Sequence, residues 1–173
     1  MAYCRYEFGM DTNTKCNMHI MGRGQLVVCG IDEIMDMLDW NQSEEIQQKG
    51  IELAGRIKYL NAFLQPMPGK SVWDNCAIIL AAKSDEVLEP YLLRILEWLK
   101  DENWPGALII LERLKVFSEV GMLAFCVNER VRIASATNNQ SWLRNMSELL
   151  ENQALAKVLP EACVVELEKH RHK

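Results

Sequence analysis

From Ile31 onward the apolar side chains recur at steps of three and four, a period that leaves the α-helix as nearly the only element this chain can build. The clearest stretch runs from about Glu44 to Phe63. There Ile46, Gly50, Leu53, Ala54, Ile57, Leu60 and Leu64 draw one stripe, and Gln47, Gln48, Lys49, Glu52 and Arg56 fill the other side. Ser43 stands where a hydroxyl can cap the first turn, and the acids Glu44 and Glu45 suit the positive end of the helix dipole. Gly50 and Gly55 each cost about 1 kcal/mol against Ala in a helix interior, which predicts that another helix packs very close there.

Breakers then divide the chain. Gln65-Pro66-Met67-Pro68-Gly69-Lys70 cannot continue a helix, because proline lacks the N–H and its ring clashes with the preceding turn. The pattern predicts helices over Val72–Lys83, then Asp85 to about Leu99 behind a Ser84-Asp85 cap, with Pro90 early enough to be tolerated. Lys100 to Asn103 reads as a turn, and helix resumes at Trp104-Pro105 and runs to Phe117 with Ala107, Leu108, Ile110, Leu111 and Leu114 inward. Ser118–Ala134, Ser141–Glu151 and Pro160–Lys169 complete the set. Helices joined by such short turns pack as antiparallel neighbours.

Residues 1–30 differ. They hold Gly9, Gly22, Gly24 and Gly30, show no helical period, and read as an irregular arm with one short extended piece at Gln25–Cys29. The arm also carries the one set with metal-ligand character, Cys4, Cys16, His19 and Cys29. Cys16-Asn17-Met18-His19 has the two-residue gap that lets a pair grip a tetrahedral zinc. The outer gaps fit no common finger, so neither a metal nor any other cofactor is expected. The domain expectation is an arm over 1–30 and a helical domain over 31–173.

Composition excludes several classes. The net charge is −5 over 173 residues, with residues 1–30 at +1 (Arg5, Lys15 and Arg23 against Glu7 and Asp11) and the remainder at −6. Duplex binding rests on Lys and Arg neutralising phosphates, and no basic cluster exceeds the terminal Lys169–Lys173 stretch, so nucleic acid is not the expected partner. No run of about 18 uncharged apolar residues is present, so no membrane span is expected. The amino terminus has no secretory-signal pattern. The six cysteines are scattered, and Cys76, Cys126 and Cys163 sit in apolar helical contexts where a thiol behaves as a small hydrophobe. That usage suits a reducing cytoplasm.

Two segments resemble each other. Ile31–Leu60 and Val87–Phe117 each read as a short apolar helix, an acidic turn and a longer amphipathic helix. Gly50–Ile57 aligns with Ala107–Leu114, placing Arg56 over Arg113. Repeated hairpins of this kind cannot bury their faces alone and stack into one core. Leu88-Glu89-Pro90-Tyr91-Leu92-Leu93 followed by Leu99-Lys100-Asp101 resembles the first helix and turn of a HEAT repeat. The string Leu96 to Ala107, with its Asp101-Glu102-Asn103-Trp104-Pro105 turn, is similar to a family of small bacterial HEAT-like proteins of unknown function. The resemblance spans about residues 31–150 and implies an all-α fold, a short right-handed solenoid of antiparallel hairpins behind an irregular arm. It brings no catalytic residues. The occurrence of such proteins near toxin systems implies immunity or partner binding.

No enzyme is expected. His170 and His172 lie at the terminus, only His19 remains as a base, and neither a Gly-x-Ser-x-Gly elbow nor a phosphate-cradling loop occurs. The expected function is a non-enzymatic helical-repeat module that binds another protein, in its sharper form an immunity protein that neutralises a toxin. The partner would be basic, because Asp32, Glu33, Asp36, Asp39, Glu44, Glu45 and Glu52 face only Lys49 within 31–55. The expected contact residues are Asp32, Asp36, Asp39, Trp40, Glu44 and Glu45, together with Trp98, Asp101, Asn103 and Trp104 around the second turn, since tryptophan is enriched in binding hot spots. Two alternatives stand beside it. One is a nucleic-acid-processing protein whose basic inner groove gathers Arg56, Lys58, Arg94, Arg113, Lys115, Arg130 and Arg132. The other is a structural homo-oligomer. The sequence leaves the oligomeric state open.

Overall fold

Every described element after Gly30 is helical. The computed structural model describes residues 17–21, 25–65 and 69–171. Ahead of the helices, Asn17–Met21 (β1) and Gln25–Cys29 (β2) pair antiparallel, with Asn17 opposite Cys29 and Met21 opposite Gln25. The extended piece at Gln25–Cys29 is therefore one half of a hairpin. Its partner strand, Asn-Met-His-Ile-Met, holds a single β-branched residue, and local propensity offers little sign of it.

The helices are α1 (Ile31–Met37), α2 (Glu44–Gly55), α3 (Trp73–Ala81), α4 (Asp85–Leu88), α5 (Leu92–Ile95), α6 (Ala107–Lys115), α7 (Val120–Ala136), α8 (Gln140–Ser147), α9 (Gln153–Val158) and α10 (Glu161–Glu168). Short 3₁₀ turns at Leu60–Phe63, Lys70–Val72, Glu89–Tyr91, Leu96–Lys100 and Glu148–Glu151 join them. The expected single helix over 85–99 is α4, a 3₁₀ turn containing Pro90, α5 and a second 3₁₀ turn. Proline removes an N–H in mid-run, and the tighter turn absorbs the loss. The Glu44–Phe63 expectation is also shortened. α2 stops at Gly55, and Leu60–Phe63 re-enters the core as a 3₁₀ turn after an irregular bend. α9 has no counterpart among the expected helices. Its six residues are too short to show a period, and its start is set by Asn152, whose side chain accepts from Ala154 N and Leu155 N at 3.1 Å each.

Side-chain caps mark the starts of α1, α2, α8 and α9. Ser43 Oγ accepts from Ile46 N at 3.4 Å as expected, Asn139 Oδ1 accepts from Trp142 N at 3.1 Å, and Glu33 closes a capping box onto Gly30 N at 3.2 Å. Helix ends are stitched by side chains from elsewhere in the chain. Asn75 Nδ2 donates to Leu38 O at 2.7 Å, Asn145 Nδ2 to Leu99 O at 3.0 Å, and Asn152 Nδ2 to Phe117 O at 2.9 Å. Lys83 Nζ donates to Gly55 O and Ile57 O, Arg94 Nη2 to Leu64 O, and Arg130 to Leu93 O. The last carbonyls of a helix have no partner within it, so each of these bonds removes a desolvation cost where one layer meets the next.

One contiguous apolar core runs from Ile34 to Leu167. α1 packs on α2, α2 on α3, α3 on α6, and α6 on the Glu148–Glu151 turn; the 92–100 stretch packs on α7 and α8. The close approach expected at Gly50 is present: a methyl there would lie 2.8 Å from Met37 Cβ. The one expected at Gly55 is absent: Gly55 is the last residue of α2, and nothing lies within 4 Å of a methyl there. Leu108, expected inward, is 60% exposed. α6 begins two residues later than expected, and Leu108 falls in its first turn on the outer side.

Cys76, Cys126 and Cys163 are buried and free. Burial pushes the Cys76 thiol up to about 12 and Cys163 up to about 11, and raises Cys126 as well. Iodoacetamide at about pH 8 acts on thiolates, so it should leave these three unlabelled in native buffer and label all of them in guanidinium. Peptide mass spectrometry reads the result; native labelling at Cys76 would contradict this burial.

Candidate functional site

The second inter-helix turn is built around a buried indole. Trp98 is 0% exposed, and its Nε1 donates to Pro105 O at 2.9 Å, tying the turn back onto the helix before it. Trp98 therefore belongs to the core and offers nothing to a partner, contrary to its expected role. Its position one residue before Leu99 in an amphipathic run could not reveal this, because the run bends into 3₁₀ geometry and turns the ring inward. Asp101 Oδ1 accepts from Asn103 N at 3.0 Å and from Asn103 Nδ2 at 3.1 Å. These two residues close the turn on itself instead of capping α6. The residue before α6 is Gly106, left-handed at φ +80°, which a β-carbon would place 2.4 Å from Ala77 Cβ.

Trp104 sits half-buried at the surface. Its ring meets Trp73 edge to face at 5.5 Å, and Trp73 meets Trp98 the same way at 6.1 Å. Lys70 Nζ lies over both outer rings, 5.4 Å from Trp104 and 5.9 Å from Trp73. Beside them a cleft is lined by Asp74, Glu102, Trp104, Pro105, Leu108 and Ile109. Glu102 makes a long pair with Arg144 at 3.7 Å between two half-exposed side chains.

The first acidic segment is bonded to Ser71, next to Lys70. Trp40 N donates to Ser71 O at 2.9 Å, and Ser71 Oγ donates to Asp39 Oδ2 at 2.5 Å. Asp39 Oδ1 accepts from Asn41 N at 2.8 Å. The Ser71 hydroxyl, with the Asn41 N–H second, holds the Asp39 carboxyl below its usual range. Trp40 is 51% exposed. Of the expected contact residues, Asp39, Trp40 and Trp104 thus each touch the Lys70–Trp73 segment, and Asp101 and Asn103 lie in the turn before Trp104. Asp32, Asp36, Glu44 and Glu45 are exposed on α1 and at the start of α2. Sequence reasoning missed Lys70, Asp74 and Leu108. Lys70 was hidden in a breaker, and Asp74 and Leu108 face outward at points that depend on where α3 and α6 begin.

Most cations of the alternative basic groove are engaged within the chain. Arg113 donates to Ala81 O, Lys83 O and the Asp85 carboxylate. Lys115 is surrounded by Glu112, Glu148 and Glu151. Arg130 pairs with Glu97, and Arg132 with Glu129. Arg94 caps Leu64 O, while Arg56 and Lys58 line a separate cleft with Lys83 and Glu86. The Arg56–Arg113 alignment also parts in space. Leu53 with Ile110 and Ala54 with Leu111 share burial, but Arg56 follows the end of α2 whereas Arg113 lies inside α6.

Of the candidate metal set, Cys4 and Cys16 lie outside the described residues, and His19 and Cys29 stand on β1 and β2 opposite Val27 and Asn17. Among the described residues no group of three or more His, Cys, Asp or Glu side chains could hold a metal ion. No described helix is long and apolar enough to cross a membrane.

No curated protein and no solved structure matches the chain. A family model does match, over residues 70–168, and this span contains Trp73, the Trp98–Gly106 turn and every helix from α3 to α10. By that match, covering more than half its length, the chain belongs to the family described as a domain of unknown function, DUF5071.

Proposed function

We propose that this protein is a non-enzymatic, cytoplasmic helical-repeat module of bacterial type that binds another protein, in its sharper form an immunity protein that neutralises a toxin. In this reading the fold is a short right-handed HEAT-like solenoid of antiparallel hairpins. The succession α1, α2, α3, α6 along one layer, with 92–100, α7 and α8 on the other, supports it. The observation that carries the functional reading is the surface at the second turn. Trp104 and Leu108 line a cleft edged by Asp74 and Glu102, beside the Trp73–Trp98 packing, and Trp40 stands exposed on the segment that bonds Ser71. Aromatic and aliphatic anchors beside a polar rim are the anatomy of a protein interface.

The nucleic-acid alternative loses support from the carboxylates and carbonyls that already engage Arg94, Arg113, Lys115, Arg130 and Arg132. The homo-oligomer alternative is read by sedimentation over a concentration series. The leading reading is tested by capture from a native bacterial lysate at low salt, with a Trp40→Ala/Leu108→Asp double variant alongside. Both side chains are exposed, so the double variant should keep its fold to within about 1 kcal/mol. The expected result is a stoichiometric partner held by the wild type and released by the variant. A partner held equally by both, or no partner at all, would overturn the reading.

A further inference from the structure

We infer that two copies of this chain pair antiparallel through the outer side of α7, each placing its Phe125 ring in the cleft between α7 and α10 of the other. The inference stands apart from the protein-binding reading, whose residues lie at Trp40 and the second turn. It starts from a ring that the core does not use. Of the described phenylalanines, Phe63 and Phe117 are fully buried, whereas Phe125 is 57% exposed on the 17-residue α7. Gly121, Phe125, Asn128, Arg132 and Ala136 follow one another at steps of three and four, the spacing that lines one side of an α-helix. All are exposed except Asn128, which is partly so, and a methyl at Gly121 meets nothing within 4 Å. Met122 and Ile133, also exposed, run along one margin of this stripe.

The other half of the fit lies beside the stripe. A cleft of about 460 Å³ opens between α7 and α10, lined by the buried Val131 and Cys163 and by Asn128, Arg132, Ser135 and Glu166. Its charged groups are satisfied within the copy. Arg132 pairs with Glu129 at 3.0 Å, and Glu166 accepts from Ser135 at 3.2 Å and from Lys169 at 2.8 Å. The cleft therefore suits an apolar side chain better than a counter-ion. What points to a second copy is that ring and cleft share one helix. A two-fold axis between Asn128 and Glu129 turns α7 end for end and sets Gly121 opposite Ala136, Phe125 opposite Arg132, and Asn128 opposite Glu129 of the other copy. Small residues let the two backbones approach, a guanidinium meets an aromatic ring, and an amide can donate to a carboxylate. Phe125 and Arg132 lie about 10 Å apart along the helix, so the reversal brings each ring to the level of the other copy's cleft. Both clefts fill at once, as an isologous interface requires. The face is also neutral, Glu129 and Glu166 against Arg132 and Lys169, in a chain of net charge −5, so two copies meet here without net repulsion. A single helix pair buries on the order of 1,000 Å², which belongs to transient, concentration-dependent dimers.

Sedimentation of the full chain up to about 500 µM tests the pairing. The wild type should move from its chain mass of 19.9 kDa toward twice that value as the concentration rises. Phe125→Asp should keep its helical circular dichroism and weaken the dimer Kd at least about tenfold. Leu108→Asp, equally exposed but on α6, should dimerise as the wild type does. The antiparallel register is read separately with a short bismaleimide. Gly121→Cys/Ala136→Cys should cross-link into a covalent dimer, while each single variant should stay at the wild-type level. This second arm leaves Phe125 in place, so it decides the matter should Phe125→Asp lose its helical signal. A wild type that stays monomeric throughout, a dimer equally tight in folded Phe125→Asp, a dimer lost in Leu108→Asp, or no excess cross-linking in the double cysteine variant would overturn the inference. The lysate capture with Trp40→Ala/Leu108→Asp is untouched by any of these results, so the two readings fail separately.

Discussion

Gly106→Ala should lower the stability of the protein by about 3–5 kcal/mol, a large part of the whole stability of a domain this size. Two independent costs meet at this residue. Its backbone is left-handed at φ +80°, which costs an L-residue about 1–2 kcal/mol. The added methyl would lie 2.4 Å from Ala77 Cβ and 2.9 Å from Trp73 O, so α3 and α6 must separate. Separation would loosen the Trp98–Pro105 bond and the Trp73–Trp104 contact together. Thermal unfolding should show a fall of about 10 °C or more. Adding Ala77→Gly relieves the closer contact but not the backbone strain, so the double variant should recover part of the loss. A Gly106→Ala protein melting within about 2 °C of wild type would contradict the close α3–α6 approach.

Arg113→Met should cost about 3 kcal/mol, and the cost should fade in acid. Arg113 reaches Ala81 O at 3.1 Å and Lys83 O at 2.9 Å, pairs with Asp85, and covers the Phe117 ring at 5.3 Å. Methionine keeps the packing and loses the three polar bonds, leaving Asp85 without its cation. Burial raises the Asp85 carboxyl, but the Ser118 hydroxyl, the Arg113 guanidinium and the Ser118 N–H together outweigh it and hold it at about 2. A depressed carboxyl contributes stability above its unfolded value of about 3.9 and loses it as the pH falls through its folded value. The wild type should therefore shed about 2 kcal/mol between about pH 4 and pH 2 from this group. Urea denaturation across that range should show the two proteins converging. A difference that stays constant to about pH 2 would mean that Asp85 does not carry the effect.

How far the fold can be read in advance depends on which physical signal encodes each piece. The stripe of Leu53, Ala54, Ile95, Leu96, Ile110, Leu111 and Leu114 is written in side-chain spacing, and all of these residues are buried. The Ser43 cap and the close contact at Gly50 are local chemistry and were legible for that reason. The inward turn of Trp98, the outward face of Leu108 and the early end of α2 were not. Each depends on where a helix stops to within one residue, and a shift of one residue rotates a side chain by about 100°. The candidate site suffered most from this. Trp40 and Trp104 were found because tryptophan draws attention wherever it stands, whereas Lys70 and Asp74 become meaningful only when Ser71 bonds Asp39 and Trp73 meets Trp104.

Sequence alone determined that this chain is helical beyond Ile31, where most of its breaks fall, and that its charge is negative, because period, proline and ionisable groups act within a few residues of themselves. Only the tertiary structure decided which ends meet. Asn75, Asn145, Asn152, Lys83 and Arg113 close the carbonyls of helices 26 to 46 positions away in the chain. A hydrogen bond carries no trace of its partner in the local sequence. It exists because packing has excluded the water that would otherwise satisfy both groups.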